Sequence, residues 1–253
     1  MAKRGRRKEQ EEPLAITSLR RGARINGRYE VKGKIGQGWE GITYLVRDRL
    51  DGRLKGLKFI TNMRRRKSIV AQARVLVRLH HPNIINYYTV DRYEDEGESH
   101  LFLLVEYLQG PRLEEMIRRQ FKSGKGPSLF QNLRIFYQIC RGMAYVHDQQ
   151  ILHDDLHAEN IILTGDPESP VPKLFDFWGS RGARGVDRRA FDLRCAGDVL
   201  FELMTGRTEY KPARLKRLPR EVSDILRRTH ARIHTYRNFH EILADLDDLR
   251  DWD

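Results

Sequence analysis

The sequence predicts an α+β fold in two lobes, a small β-rich lobe followed by a larger helical one. Two observations carry this. Between Tyr29 and Ile60, short strand-like runs alternate with glycine-rich and Asp-Gly turns, the pattern of antiparallel hairpins. Beyond Leu108, apolar residues recur at helical spacing over long segments. A chain of 253 residues holds one large core or two smaller lobes sharing a cleft.

The strand-like runs are YEVKGKIG, GITYLVRDR and LKGLKFI, with Asp51-Gly52 as a turn. Residues 66–80 read as a helix, with apolar side chains at 69, 70, 73, 76, 77 and 79, closed by the break His81-Pro82-Asn83. Two further apolar runs follow, IINYYTV and LFLLVEYL. Helices are predicted at 112–121, 130–148, 190–205, 219–230 and 238–249, with short strands at 161–163 and 172–175. This divides the chain into a basic, disordered extension over 1–28, a small lobe over 29–106 and a large lobe over 107–250.

Composition narrows the class. Hydrophobic residues make up 40% and charged residues 32%, as in globular soluble chains. No apolar run approaches the roughly 20 residues that span a bilayer, and no apolar segment follows the basic start, so neither a membrane protein nor a secreted one is expected. Cys140 and Cys195 sit in apolar helical patterns without CxxC or CxxH spacing. They read as buried free thiols of a cytoplasmic protein.

The formal net charge of +12 is uneven. Residues 1–28 carry nine Arg/Lys against three Glu, and residues 177–237 carry fifteen against seven Asp/Glu. The last sixteen residues, 238–253, carry one Arg against six acids. Such basic surfaces attract acidic and phosphate-bearing partners. A solvated arginine-rich surface is the simpler reading here, so nucleic-acid binding is not favoured.

Four motifs carry chemistry. GQGWEG places glycines at 36, 38 and 41. The strand ITYLV follows directly, so this is a hairpin rather than the strand-to-helix turn of a dinucleotide fold. A glycine hairpin lets backbone approach phosphates without Cβ obstruction. Lys58 in KGLKFI is a strand lysine able to hold phosphate oxygens as a point charge. HDDLHAENIIL sets His153, Asp155 and Asn160 at H-x-D-x-x-x-x-N spacing. Asp155 can accept or orient the proton of an attacking hydroxyl, and Asn160 can hold a metal through its carbonyl oxygen. In KLFDFWGS, Asp176 can hold the metal that bridges the phosphates.

In this order and at these intervals the motifs resemble the protein-kinase superfamily from about Tyr29 to Leu249, with a small lobe similar to bacterial-type Ser/Thr kinases. The resemblance implies a bilobal kinase fold binding ATP and Mg2+. GQGWEGITYLV would be the glycine-rich loop and Lys58 the phosphate-contacting lysine. In LLVEYLQG, Val105 would be the gatekeeper, and backbone groups of Glu106 and Leu108 would bond the adenine. Thr43, Gly56 and Ile162 would sandwich the purine. Asp192 matches the family's buried aspartate that supports the catalytic loop.

The chain departs from the family in seven places. Gln72 stands for the helix glutamate that pairs with Lys58. Asp154 replaces the arginine that reads a phosphorylated activation loop, and His157 replaces a lysine. Trp178 takes the third place of the DFG triplet, and no APE motif is visible. Asp176 and Asp192 are only 16 positions apart, which shortens the activation segment, and Thr235 stands where the family carries an arginine. Arg181, Arg184, Arg188 and Arg189 would form a basic floor for an acidic or phosphate-bearing protein partner. The resulting expectation is ATP- and Mg-dependent phosphoryl transfer to a protein Ser/Thr hydroxyl. The alternatives are a pseudokinase acting as a nucleotide-binding interaction module, or a small-molecule kinase of the kind whose loops read HGDLHxxN.

Overall fold

The computed structural model describes residues 15–38, 41–61, 66–95, 97–123, 128–177, 187–231 and 235–249, without the side chains of Ala15, Thr17, 66–69 and Gln72. Trp39, Trp178, Ser180, Arg181, Arg184 and the side chain of Gln72 therefore lie outside the described part. The chain divides into two compact units. One comprises the chain up to Val77 together with Tyr87–Tyr107, the other Arg78–Asn86 together with the chain from Leu108 onward.

The first unit is a six-stranded antiparallel sheet with one helix. Its strands are β1 (Arg24–Ile25), β2 (Tyr29–Gln37), β3 (Gly41–Asp48), β4 (Leu54–Ile60), β5 (Tyr87–Asp95) and β6 (Glu98–Glu106), in the order β1-β2-β3-β4-β6-β5. Period-two alternation sorts β3 and β4 onto two faces. Ile42, Tyr44, Val46, Leu57 and Phe59 point into a core shared with Tyr29, Val31, Phe102 and Leu104. Thr43 and Lys58, opposite each other across the β3–β4 pair, occupy the other face with Gly41 and Gly56. Helix α1 (Arg66–Leu76) contacts β5.

Two expectations change in this unit. The chain from residue 15 to 28 is built into the fold rather than belonging to a disordered extension. Ile16 and Ile25 are fully buried in the sheet's core, and Tyr44 donates its hydroxyl to the Ile16 carbonyl at 2.9 Å. Two well-spaced apolar anchors outweigh the basic composition around them. Helix α1 also stops at Leu76 although apolar spacing runs on to Leu79. The His80 amide donates to the Tyr145 hydroxyl at 3.0 Å instead of to a helical carbonyl.

The second unit is helical around one hairpin. It contains α2 (Leu113–Lys122), α3 (Leu129–Asp148), the hairpin β7 (Ile161–Asp166) and β8 (Ser169–Leu174), then α4 (Arg188–Thr205), α5 (Arg220–His230) and α6 (Phe239–Asp247). Three of these helices carry capping side chains at their N-termini. Ser128 accepts from the Gln131 amide at α3, Asp187 accepts from the Arg189 and Ala190 amides at α4, and Asn238 accepts from the Glu241 amide at α6. Helix α4 ends on Gly206 in the left-handed conformation, φ 64°. Gly197 lets α5 pack directly on α4, since a Cβ there would lie 2.2 Å from Thr229 Oγ1. Cys140 is buried as expected, whereas Cys195 is only half-buried.

Candidate active site

Five of the residues expected to bind nucleotide in the first unit, Gly36, Gly41, Thr43, Gly56 and Lys58, share one sheet face. Gly41 is sterically required, because a Cβ there would lie 1.8 Å from the Phe59 carbonyl oxygen. Gly36 and Gly38 face open space, and the Gly38 amide donates to the Gly41 carbonyl at 2.9 Å, closing the hairpin. Thr43 pairs with Lys58 and Gly56 pairs with Val105 across adjacent strands. A Cβ on Gly56 would meet Val105 Cγ2 at 2.9 Å and Thr43 Cγ2 at 3.8 Å. The missing methyl thus leaves a shallow seat between Thr43 and Val105. Glu106 ends β6, opposite Lys55.

Leu108 and Ile162 belong to the second unit, where the chain after Leu108 runs beside β7. The Leu163 amide donates to the Pro111 carbonyl at 2.9 Å, and Arg112 bridges Ile162. Gly110, at φ 149°, permits this approach, since a Cβ there would lie 1.8 Å from the Leu163 carbonyl oxygen.

The turn from His153 to Asn160 carries the residues of this unit from which chemistry is expected. Asp192, on α4 and fully buried, anchors it. Its carboxylate accepts the His153 amide at 2.9 Å and the Asp154 amide at 2.8 Å. His147 Nε2, from the end of α3, donates to the same group at 2.9 Å. The chain then passes through Asp154 in the left-handed region, φ 60°, where few non-glycine residues sit. Asp155 emerges with its side chain 63% exposed. Asn160, buried, donates from Nδ2 to the Asp155 carbonyl at 3.0 Å, to Asp155 Oδ2 at 3.3 Å and to His157 Nε2 at 2.9 Å. With the amide nitrogen so committed, the Asn160 carbonyl oxygen is the end left to serve a cation. His157 therefore acts as a hydrogen-bond acceptor that orients Asn160.

Asp176 follows directly. The Phe175 amide donates to the backbone carbonyl of Asn160 at 3.1 Å, which ties the start of the DFW triplet to Asn160 while leaving its side-chain Oδ1 aside. Asp176 has φ 67°, and Phe177 is fully buried against His153 with ring centroids 4.5 Å apart. Burial holds the His153 imidazole below its ordinary 6.5, against the opposing pull of Asp192, Asp155 and Asp176. Neither of its ring nitrogens has a hydrogen-bond partner among the described residues.

Among the described residues no three His, Cys, Asp or Glu side chains cluster as a self-sufficient metal site. Mg2+ takes one or two protein ligands and completes its shell with phosphate oxygens and water. Asn160 and Asp176 fit that part.

A groove of about 580 Å³ opens beside the turn, lined by Glu114, Phe121, His157, Glu159, Glu202 and Arg207 among others. Burial, then Glu114 and Glu159, push the Glu202 carboxyl above its ordinary range. The sequence did not single out this groove, because its walls come from α2, the turn and the end of α4. Two arginines of the expected basic floor fall in the described part. Arg188 is engaged by Asp154, Arg189 reaches the His147 carbonyl at 3.5 Å, and Arg181 and Arg184 lie outside the described residues.

Comparisons with known proteins bear on the family and the fold. Residues 29–189 match the family model described as protein kinase domain. The serine/threonine-protein kinase Nek5 of Mus musculus is 32% identical over 167 residues, 66% of this chain and 25% of Nek5. The serine/threonine-protein kinase ATG1c of Arabidopsis thaliana is 28% identical over 214 residues, 74% of this chain and 28% of ATG1c. The chain thus spans little more than a quarter of these relatives' lengths. The crystal structure of the Mycobacterium tuberculosis PknI kinase domain superposes with TM-score 0.73 at 20% identity, covering 91% of this chain and 99% of that one. It shares the fold. With a family model matching well over half its length, the chain belongs to the protein kinase domain family.

Proposed function

We propose that the chain transfers the γ-phosphoryl group of ATP to a serine or threonine hydroxyl of a protein. The observation that carries this is the turn itself, in which Asp155 stands out toward solvent on a backbone anchored to buried Asp192 and is hydrogen-bonded to Asn160. In this reading Asp155 orients the hydroxyl and takes its proton as the oxygen attacks the γ-phosphorus, while the bond from phosphorus to the β–γ bridging oxygen breaks. Lys58 holds phosphate oxygens as a fixed cation, and Thr43, Gly56 and Ile162 flank the purine. Backbone groups of Glu106 and Leu108 hold the adenine edge, and Gly36, Gly38 and Gly41 admit the phosphates. Asn160 and Asp176 would hold Mg2+, which neutralises phosphate charge when bound.

A polypeptide acceptor is supported by the groove beside the turn, which mixes carboxylates with Arg118, Lys122 and Arg207. Between α4 and α5 the chain forms a short 3-10 helix, Pro212–Arg217, too small to cradle a separate small-molecule acceptor. No helix among the described residues is long and apolar enough to cross a membrane, and two unpaired thiols suit the cytoplasm. The test is incubation of purified protein with Mg2+ and γ-labelled ATP, alone and with a generic acceptor such as myelin basic protein. Label on serine or threonine that disappears in Asp155→Asn supports the reading. Absence of label with every acceptor tried, in protein that still binds Mg-ATP, would leave a nucleotide-binding module.

A further inference from the structure

The turn that presents Asp155 is gripped from α4 twice, and Asp192 accounts for only one grip. The other is Arg188, the first residue of α4. It donates from Nε to Asp154 Oδ1 at 3.0 Å, and its Nη2 is ion-paired with Oδ2. The two residues lie 34 positions apart in sequence. The Asp154 side chain is only 3% exposed, so the guanidinium stands in for the water this carboxylate has lost. Arg188 is itself set in place by the α4 cap, where Asp187 Oδ1 accepts the amides of Arg189 and Ala190 at 3.0 and 3.2 Å.

We infer that Arg188 is a positioning residue for Asp155, acting through Asp154. The two grips act on different bonds. Asp192 fixes the His153 and Asp154 amides and so determines the chain as far as the Asp154 nitrogen. It does not determine rotation about the next bond, N–Cα of Asp154, which aims everything after it. That rotation is set once the direction of the Asp154 side chain is also set, and Arg188 sets it. The resulting φ of 60° is one that residues with a Cβ leave readily when unheld. Without Arg188, the Asp154 carboxylate turns toward water, φ relaxes to negative values, and the Asp155 carboxylate swings away from its bond with Asn160. Arg188 touches no reacting atom. Its effect is on the aim of Asp155.

This inference rests on the role proposed for Asp155, and the experiment separates the two. Wild type, Arg188→Ala, Arg188→Lys and the exchanged pair Asp154→Arg/Arg188→Asp are compared in two measurements. The first is steady-state transfer to myelin basic protein. Arg188→Ala is expected to lower kcat about 10- to 100-fold while KM for ATP stays within about twofold, with Arg188→Lys and the exchanged pair recovering part of the loss. The second is the set of backbone ¹³C shifts of Asp154 and Asp155, which report φ and ψ without any need for turnover. Arg188→Ala should move them out of the left-handed range. Unchanged shifts, or a kcat within about twofold of wild type, overturn the inference. If wild type shows no transfer, the proposed activity fails and the shifts alone decide the positioning role. If Arg188→Ala does not fold, Arg188→Gln is read by the same two measurements.

Discussion

His147 Nε2 and Asp192 Oδ2 meet at 2.9 Å in a fully buried position, and the same carboxylate receives the His153 and Asp154 amides. Three donors, from the end of α3 and from the 153–160 turn, thus converge on one acceptor. Asp192→Asn would bring an amide nitrogen against donors, leaving at least one buried N–H without a partner. It is expected to cost about 3 kcal/mol of stability, the scale on which removing half of a buried charged network is felt. Urea unfolding measures this, and a midpoint equal to wild type would show the carboxylate to be dispensable.

Binding and turnover should separate. Asp155→Asn is expected to lower kcat by about 10²- to 10⁴-fold, the usual weight of a general base, with the thermal shift produced by Mg-ATP retained. Lys58→Met should do the reverse at the binding step and remove most of that thermal shift, since ligand binding stabilises the folded state by mass action. If the two variants show the same profile, the roles assigned to them are wrong.

Stability should fall on mild acidification. Burial lowers the folded-state values of both His153 and His81 below their ordinary 6.5. Below 6.5 the unfolded chain therefore binds more protons than the folded one at these sites. Their contribution is complete above 6.5 and is lost as pH falls from there through the lowered folded values. His153→Gln should flatten part of the decline between pH 7.5 and 5.5 in chemical unfolding. An unaltered decline would shift the cause to His81, which stacks on Tyr145 with ring centroids 5.1 Å apart.

Neither thiol should react readily in the folded protein. Burial pushes Cys195 up to about 12, with Asp192 and Asp198 adding to it, and raises the fully buried Cys140 as well. Thiolate is the reactive species, so iodoacetamide at pH 8 should label both sites only after denaturation. Rapid labelling of native Cys195 would contradict the burial that the structure assigns to it.

Lys58, Asp155, Asn160 and Asp176 are legible in the sequence as candidates because each sits in a short motif whose spacing is local. The face shared by Thr43, Gly56 and Lys58 follows from strand alternation alone. Asp154 and Arg188 were legible only as oddities, one a lost arginine and the other part of a basic floor. Their pairing joins segments 34 residues apart, which no local pattern encodes. Residues 15–28 were misread for a related reason: composition registers the many arginines, whereas Ile16 and Ile25 are buried by strands distant in sequence. His157 appeared as a substituted lysine, and its partnership with Asn160 required the turn to be folded.

The two margins of the six-stranded sheet differ in a way that bears on how the protein behaves when crowded. β1 contributes only two residues, and β5 displays Asp91, Arg92, Glu94 and Asp95 along its length. A strand from another copy approaching either margin would find too short a template or a row of charges. A short margin on one side and a charged one on the other thus leave the sheet a poor template for strands of neighbouring copies.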